Sequence, residues 1–127
     1  MQLGPLAARC AAAAIAAAIA GCGAPPVVRV VDGRPIEGRF ISDEAYAAYA
    51  RGSDAEARGD AGSALRAFEA AAAEDPESAA IWSRIGALRC RAAGRPGGEA
   101  EEAFERAAQA DPEYAPLWRE RARCLLA

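Results

Sequence analysis

Asp75-Pro76-Glu77-Ser78-Ala79-Ala80-Ile81-Trp82 returns 36 residues later as Asp111-Pro112-Glu113-Tyr114-Ala115-Pro116-Leu117-Trp118. Laid over one another without a gap, residues 63–82 and 99–118 agree at 11 of 20 positions. Ala64/Ala100, Phe68/Phe104, Ala71/Ala107 and Trp82/Trp118 are among the matches. Self-similarity at this period signals stacked helical repeats, units that cannot bury their own faces and so lean on their neighbours. Such arrays usually hold partners rather than perform chemistry.

Working outward from the repeat, the helix signals fall in order. Ser42 is placed to cap a first helix, with Asp43 and Glu44 in the turn where acids complement the helix dipole. That helix is expected to run to about Arg58 and break at Gly59-Asp60. A second spans 61–74, with Ala64, Phe68, Ala71 and Ala72 on one face. It stops at Asp75-Pro76, because the residue before a proline disfavours the helical region. Ser78 caps a third helix over 79–92, and the glycine-rich stretch 94–98 is a connector. A fourth over 99–110 repeats the second, and a fifth starts near Tyr114.

These residues resemble the tetratricopeptide repeat, a helix–turn–helix unit with a Trp-x-x-Leu-Gly start, small residues at helix contacts and a closing proline. The first repeat places Gly52 at the small position, Ala64 and Ala71 at the close contacts and Phe68 at the aromatic. The second has Trp82, Ile85 and Gly86, then Ala100, Phe104, Ala107 and Pro112. A third offers one helix, with Trp118 and Ala122. Ala48 stands where the first tryptophan would be, and Arg51 and Arg121 stand at leucine positions. The resemblance implies an all-α array over 42–127: two full helix–turn–helix repeats and a terminal helix, following an extended N-terminal tether. Trp82, Phe68 and Phe104 are expected to fill the gaps between helices.

The N-terminal segment reads differently. Arg9 precedes an uncharged, alanine-rich run over 10–20, too short for a hydrocarbon core that needs roughly 20 residues. The run ends Ile19-Ala20-Gly21-Cys22, which resembles a bacterial lipoprotein signal. The resemblance implies a signal peptide over 1–21, lipidation of Cys22, and an anchor facing the periplasm from the outer membrane, since Gly23 rather than Asp follows the cysteine. A soluble secreted or periplasmic protein is the alternative. Residues 22–41 form the linker. Val27-Val28-Arg29-Val30-Val31 is β-prone and Asp32-Gly33 is a turn signal, so a hairpin is conceivable. Isolated hairpins are marginal, so an extended tether is the expectation.

Composition excludes several functions. The net charge of −3 argues against nucleic acid, which calls for a basic face. With no histidine, the commonest general base is missing, and no His/Cys metal set can form. Ser42, Ser53, Ser63, Ser78 and Ser83 have no nucleophile motif around them, and 94–98 lacks the Lys-Ser/Thr of a phosphate loop. Glu69 and Asp75 recur as Glu105 and Asp111 because the repeat recurs, and together with Glu74 they read as a solvated helix face. No enzyme activity and no cofactor are expected.

The repeat resemblance implies binding of a protein or peptide, a component of envelope assembly, on the face lined by each first helix of a pair. Carried over by repeat position, that face holds Tyr46, Tyr49, Ser53, Ser83, Ala87, Arg91, Arg119 and Arg123. The tyrosines could stack on an extended peptide, and the arginines could fork onto a carboxylate. Cell-wall or exported polysaccharide is a second partner class, served by the tyrosines. For Cys90 and Cys124, two small buried apolar residues is the favoured reading, because they occupy non-equivalent repeat positions. A disulfide is the alternative.

Overall fold

A computed structural model describes residues 27–126. The expected signal peptide and Cys22 therefore lie outside the described residues. The chain divides into two units, one ending at Phe40 and one beginning at Ile41.

In the first unit, β1 (Val27–Val31) and β2 (Arg34–Gly38) pair antiparallel, with Val31 opposite Arg34 and Val27 opposite Gly38. Asp32 and Gly33 both take positive φ, 50° and 76°. That is the combination a two-residue hairpin turn requires, and an Asp-Gly pair supplies it at low cost. The expected extended tether is thus folded back on itself over this stretch. The turn chemistry overrides the absence of a supporting sheet. Pro35 is tolerated because a two-stranded ribbon has only edge strands.

The second unit is the all-α array: α1 (Asp43–Ala57), α2 (Ala61–Glu74), α3 (Ala79–Ala93), α4 (Gly98–Ala110) and α5 (Ala115–Leu125). Every expected helix is present within a residue or two of its expected ends. Ser42 and Ser78 cap α1 and α3 by accepting hydrogen bonds from the amides of Ala45 and Ile81. A third cap was not anticipated. Asp60 accepts from the Ser63 amide at 2.9 Å and starts α2 directly after Gly59, whose φ of 79° turns the chain.

α1 packs on α2, α3 on α4, and α3 also meets α2 and α5. The central helix is therefore covered on several sides. It buries Ile81, Ile85, Gly86, Leu88 and Cys90, whereas α5 buries only Leu117 and Cys124. One contact is made twice. The Phe68 ring lies on Gly52 and the Phe104 ring on Gly86, so close that an added Cβ would stand 2.8 and 2.7 Å from ring carbons. Both rings are fully buried, each contributing on the order of 2–3 kcal/mol by leaving water.

Trp82 packs against both apolar clusters, as expected, but is not fully enclosed. It is half-buried, its indole N–H donates to the Pro76 carbonyl at 2.7 Å, and the Arg106 guanidinium lies 4.7 Å from its ring. Trp118 repeats the bond to Pro112 at 2.8 Å. An indole must place its N–H as well as its rings, and here the carbonyl of the preceding turn accepts the N–H while the rings pack against both clusters. Asp75 also differs from the solvated reading: it is buried at the end of α2 and α3's entrance, while its repeat partner Asp111 is exposed.

Phe104→Ala should cost about 3–5 kcal/mol, and Gly86→Ala about 1–3 kcal/mol through the clash with the ring. Gly62→Ala, in helix α2 with nothing nearer than 3.6 Å, should instead gain about 0.5–1 kcal/mol. Urea unfolding of the three variants checks both the sizes and the opposite signs. The Asp60 cap adds a pH dependence. Hydrogen bonds from Ser63, side chain and then backbone, hold its carboxyl below the ordinary 3.8. Its stabilisation is present above that value and lost as pH falls through the lower folded one. Asp60→Ala should therefore flatten the loss of thermal stability below about pH 4, as melting curves across acid pH will show.

Candidate partner-binding face

The first helices of each pair, α1, α3 and α5, present the residues assigned to the binding face. At one end lies an apolar cleft of about 260 Å³ between Ile41, Ala45, Tyr46, Tyr49, Ala80 and Ile81. Tyr46 is 69% exposed at its rim. Tyr49 is half-buried and stands edge-on against Phe68, ring centroids 5.4 Å apart. One tyrosine is therefore free to meet a partner, while the other roofs the core and offers its rim.

Beyond the cleft the face becomes cationic. Arg84 shares a hydrogen bond with Tyr49 and lies 3.4 Å from Glu56, which also accepts from Arg91 at 2.5 Å. Burial works against the charge of Arg84, but the Tyr49 hydrogen bond and the Glu56 carboxylate outweigh it and raise the guanidinium's pKa. On α5, Arg123 bonds Glu120 at 2.7 Å, and Arg119 is in no ion pair among the described residues. Tyr114 sits among these groups. Its phenol is pushed up, first by burial and then by Tyr49, against the pull of Arg84 and Arg119. Four guanidiniums thus face two carboxylates across three helices, in a chain whose net charge is negative. Each exposed pair is worth less than about 1 kcal/mol, so a partner carboxylate can compete for its cation.

The structure brings Tyr46, Tyr49, Arg91, Arg119 and Arg123 to this face but removes Ser83 from it. Ser83 is 3% exposed and donates its hydroxyl to the Ala79 carbonyl at 2.6 Å. The crowded central helix turns that position inward, where a serine satisfies itself on its own helix. Ala87 is likewise buried, and Ser53 is half-buried. Arg84 was missed by repeat position. The signal available for it is its spacing of seven from Arg91, two helical turns along one stripe.

No family model matches the chain, and no curated protein matches it. Among the described residues there is no group of His, Cys, Asp and Glu able to hold a metal, and no helix long and apolar enough to cross a membrane.

Cys90 and Cys124 form a disulfide, with Cα atoms 5.9 Å apart. This corrects the favoured reading of two separate buried thiols. Their non-equivalent repeat positions do not keep them apart, because α3 and α5 pack side by side with an offset that sets Cys90 against Cys124. A tryptic digest without reductant should contain Cys90-Arg91 joined to the peptide that begins at Cys124. Recovery of the two as separate thiol peptides would contradict the bridge.

Proposed function

We propose that this chain is a non-enzymatic, lipid-anchored adaptor of the bacterial envelope, built on a tetratricopeptide-type array and holding an acidic segment of a protein partner. The observation that carries the reading is the composite face: an apolar cleft rimmed by Tyr46 and Tyr49, with Asp75 in its wall, runs into Arg84, Arg91, Arg119 and Arg123, which face Glu56 and Glu120. An extended peptide would seat an apolar side chain in the cleft and lay its carboxylates along the arginines, whose planar forks suit them.

Anchoring rests on Ile19-Ala20-Gly21-Cys22, where two or more acyl chains would hold the protein stably. The Cys90–Cys124 disulfide supports an oxidising compartment such as the periplasm. An outer-membrane lipoprotein facing the periplasm satisfies both.

Two experiments test this. Fatty-acid labelling of the wild type in a bacterial host should mark the protein, and Cys22→Ser should abolish the mark. Photocrosslinking from position 46 in the same cells should capture a partner. Arg119→Glu with Arg123→Glu should lose that adduct while helicity by circular dichroism stays unchanged. Capture that survives the double reversal would remove the arginines from the binding face.

A further inference from the structure

The array does not secure its five helices alike. α1 and α3 are each locked by a phenylalanine ring on a glycine, whereas the corresponding residue of α5, Ala122, is exposed. α5 buries Leu117 near its start and Cys124 near its end, while Leu125 and Leu126 remain exposed. Between helices, Arg121 pairs with Glu101 at a half-exposed site. The second half of α5 is therefore held by Cys124, bonded to Cys90 and buried in the apolar cluster of Phe104 and Leu117, and by one ion pair.

The bond also has an approach. A cleft of about 360 Å³ is lined by both cysteines together with Arg91, Arg123 and Glu120. Arg91 and Arg123, each in an exposed pair with a glutamate, are the cations within reach of an incoming thiolate and of the thiolate that leaves.

From this we infer that Cys90–Cys124 is a redox-addressable latch whose reduction by a dithiol releases the second half of α5. The thiolate of the dithiol attacks one sulfur, the S–S bond breaks, and the other cysteine departs as a thiolate. The dithiol's second thiolate then resolves the mixed disulfide and leaves as a cyclic or protein disulfide. Two electrons pass to the pair, and two protons follow from water. Because Arg123 rides on that half of α5, release also removes one cation from the proposed binding face; this consequence rests on the adaptor reading, whereas the latch itself does not.

The test is amide hydrogen exchange on the oxidised protein, on the same protein in dithiothreitol without denaturant, and on Cys90→Ala/Cys124→Ala. Protection of the amides over 122–125 should fall by at least about tenfold in the last two samples, while α1 to α3 keep theirs. Unchanged protection in α5 would overturn the latch, as would a bond that dithiothreitol reduces only after global unfolding. An equal loss in every helix would also overturn it, by making the bond a staple of the whole array. Crosslinking from position 46 in reductant separates the two readings. Partner capture that persists while α5 is released counts against the binding face and leaves the latch standing.

Discussion

Everything in the helical unit is arranged around a phenyl ring lying directly on a glycine. The contact requires that one helix of each pair have no Cβ at that point, so that the axes come close enough for the ring to cover backbone. Gly52 under Phe68 and Gly86 under Phe104 meet this requirement. Once the axes are that close, the neighbouring contact positions have room only for small side chains. Ala45, Ala48, Ala64, Ala71, Ala100 and Ala107 are accordingly buried. Alanine also orders a helix at no side-chain entropy cost. A chain with few aromatics thus builds a core by proximity rather than by bulk.

This constraint explains which parts of the structure were legible. The Phe, Gly and Ala positions recur in the sequence, and the caps at Ser42 and Ser78 are local side chain-to-amide contacts. The helices could therefore be placed to within a residue or two. Features that depend on how one element meets another could not be read in the same way. Ser83 and Arg84 are adjacent on α3, and only the packing decides that the first turns inward and the second outward. Asp75 and Asp111 are identical in the repeat, yet one is buried and the other exposed. The first has a full helical layer beside it, and the second stands at the entrance to α5. The disulfide was obscured by the same cause, since repeat equivalence says nothing about the offset between neighbouring helices. The hairpin is a different case. Its turn was visible in Asp32-Gly33, but pairing in a two-stranded ribbon is decided by small energies.

The binding face inherits its chemistry from the same geometry. The stacking that exposes one stripe of each first helix sets α1 beside α3, so Glu56 can serve Arg84 and Arg91 at once. Glu56 holds the two guanidiniums at one carboxylate and leaves the charge of the pair only half neutralised. Such pre-positioning lowers the entropy lost when a carboxylate docks. Tyr49 ties this cluster to the core, because the ring that packs on Phe68 also bonds Arg84. The cationic surface is therefore supported by the same aromatic that closes the first repeat.

The last helix shows what happens where the ring-on-glycine contact is missing. α5 has no glycine under a phenyl ring, and its two buried side chains lie seven residues apart. Cys124 occupies the place that Leu88 holds in α3. There the leucine is packed by neighbours on several sides, whereas a leucine in α5 would lack those neighbours. A covalent bond needs none of them. By closing a loop across a sequence separation of 34, it restricts the unfolded chain by about 4 kcal/mol on the chain-entropy account. That is comparable with what a buried phenylalanine supplies to the earlier helices. The substitution has one physical difference: a ring contact yields only to unfolding, whereas a disulfide yields to a thiol. Where packing is scarce, the fold has placed the one disulfide among the described residues.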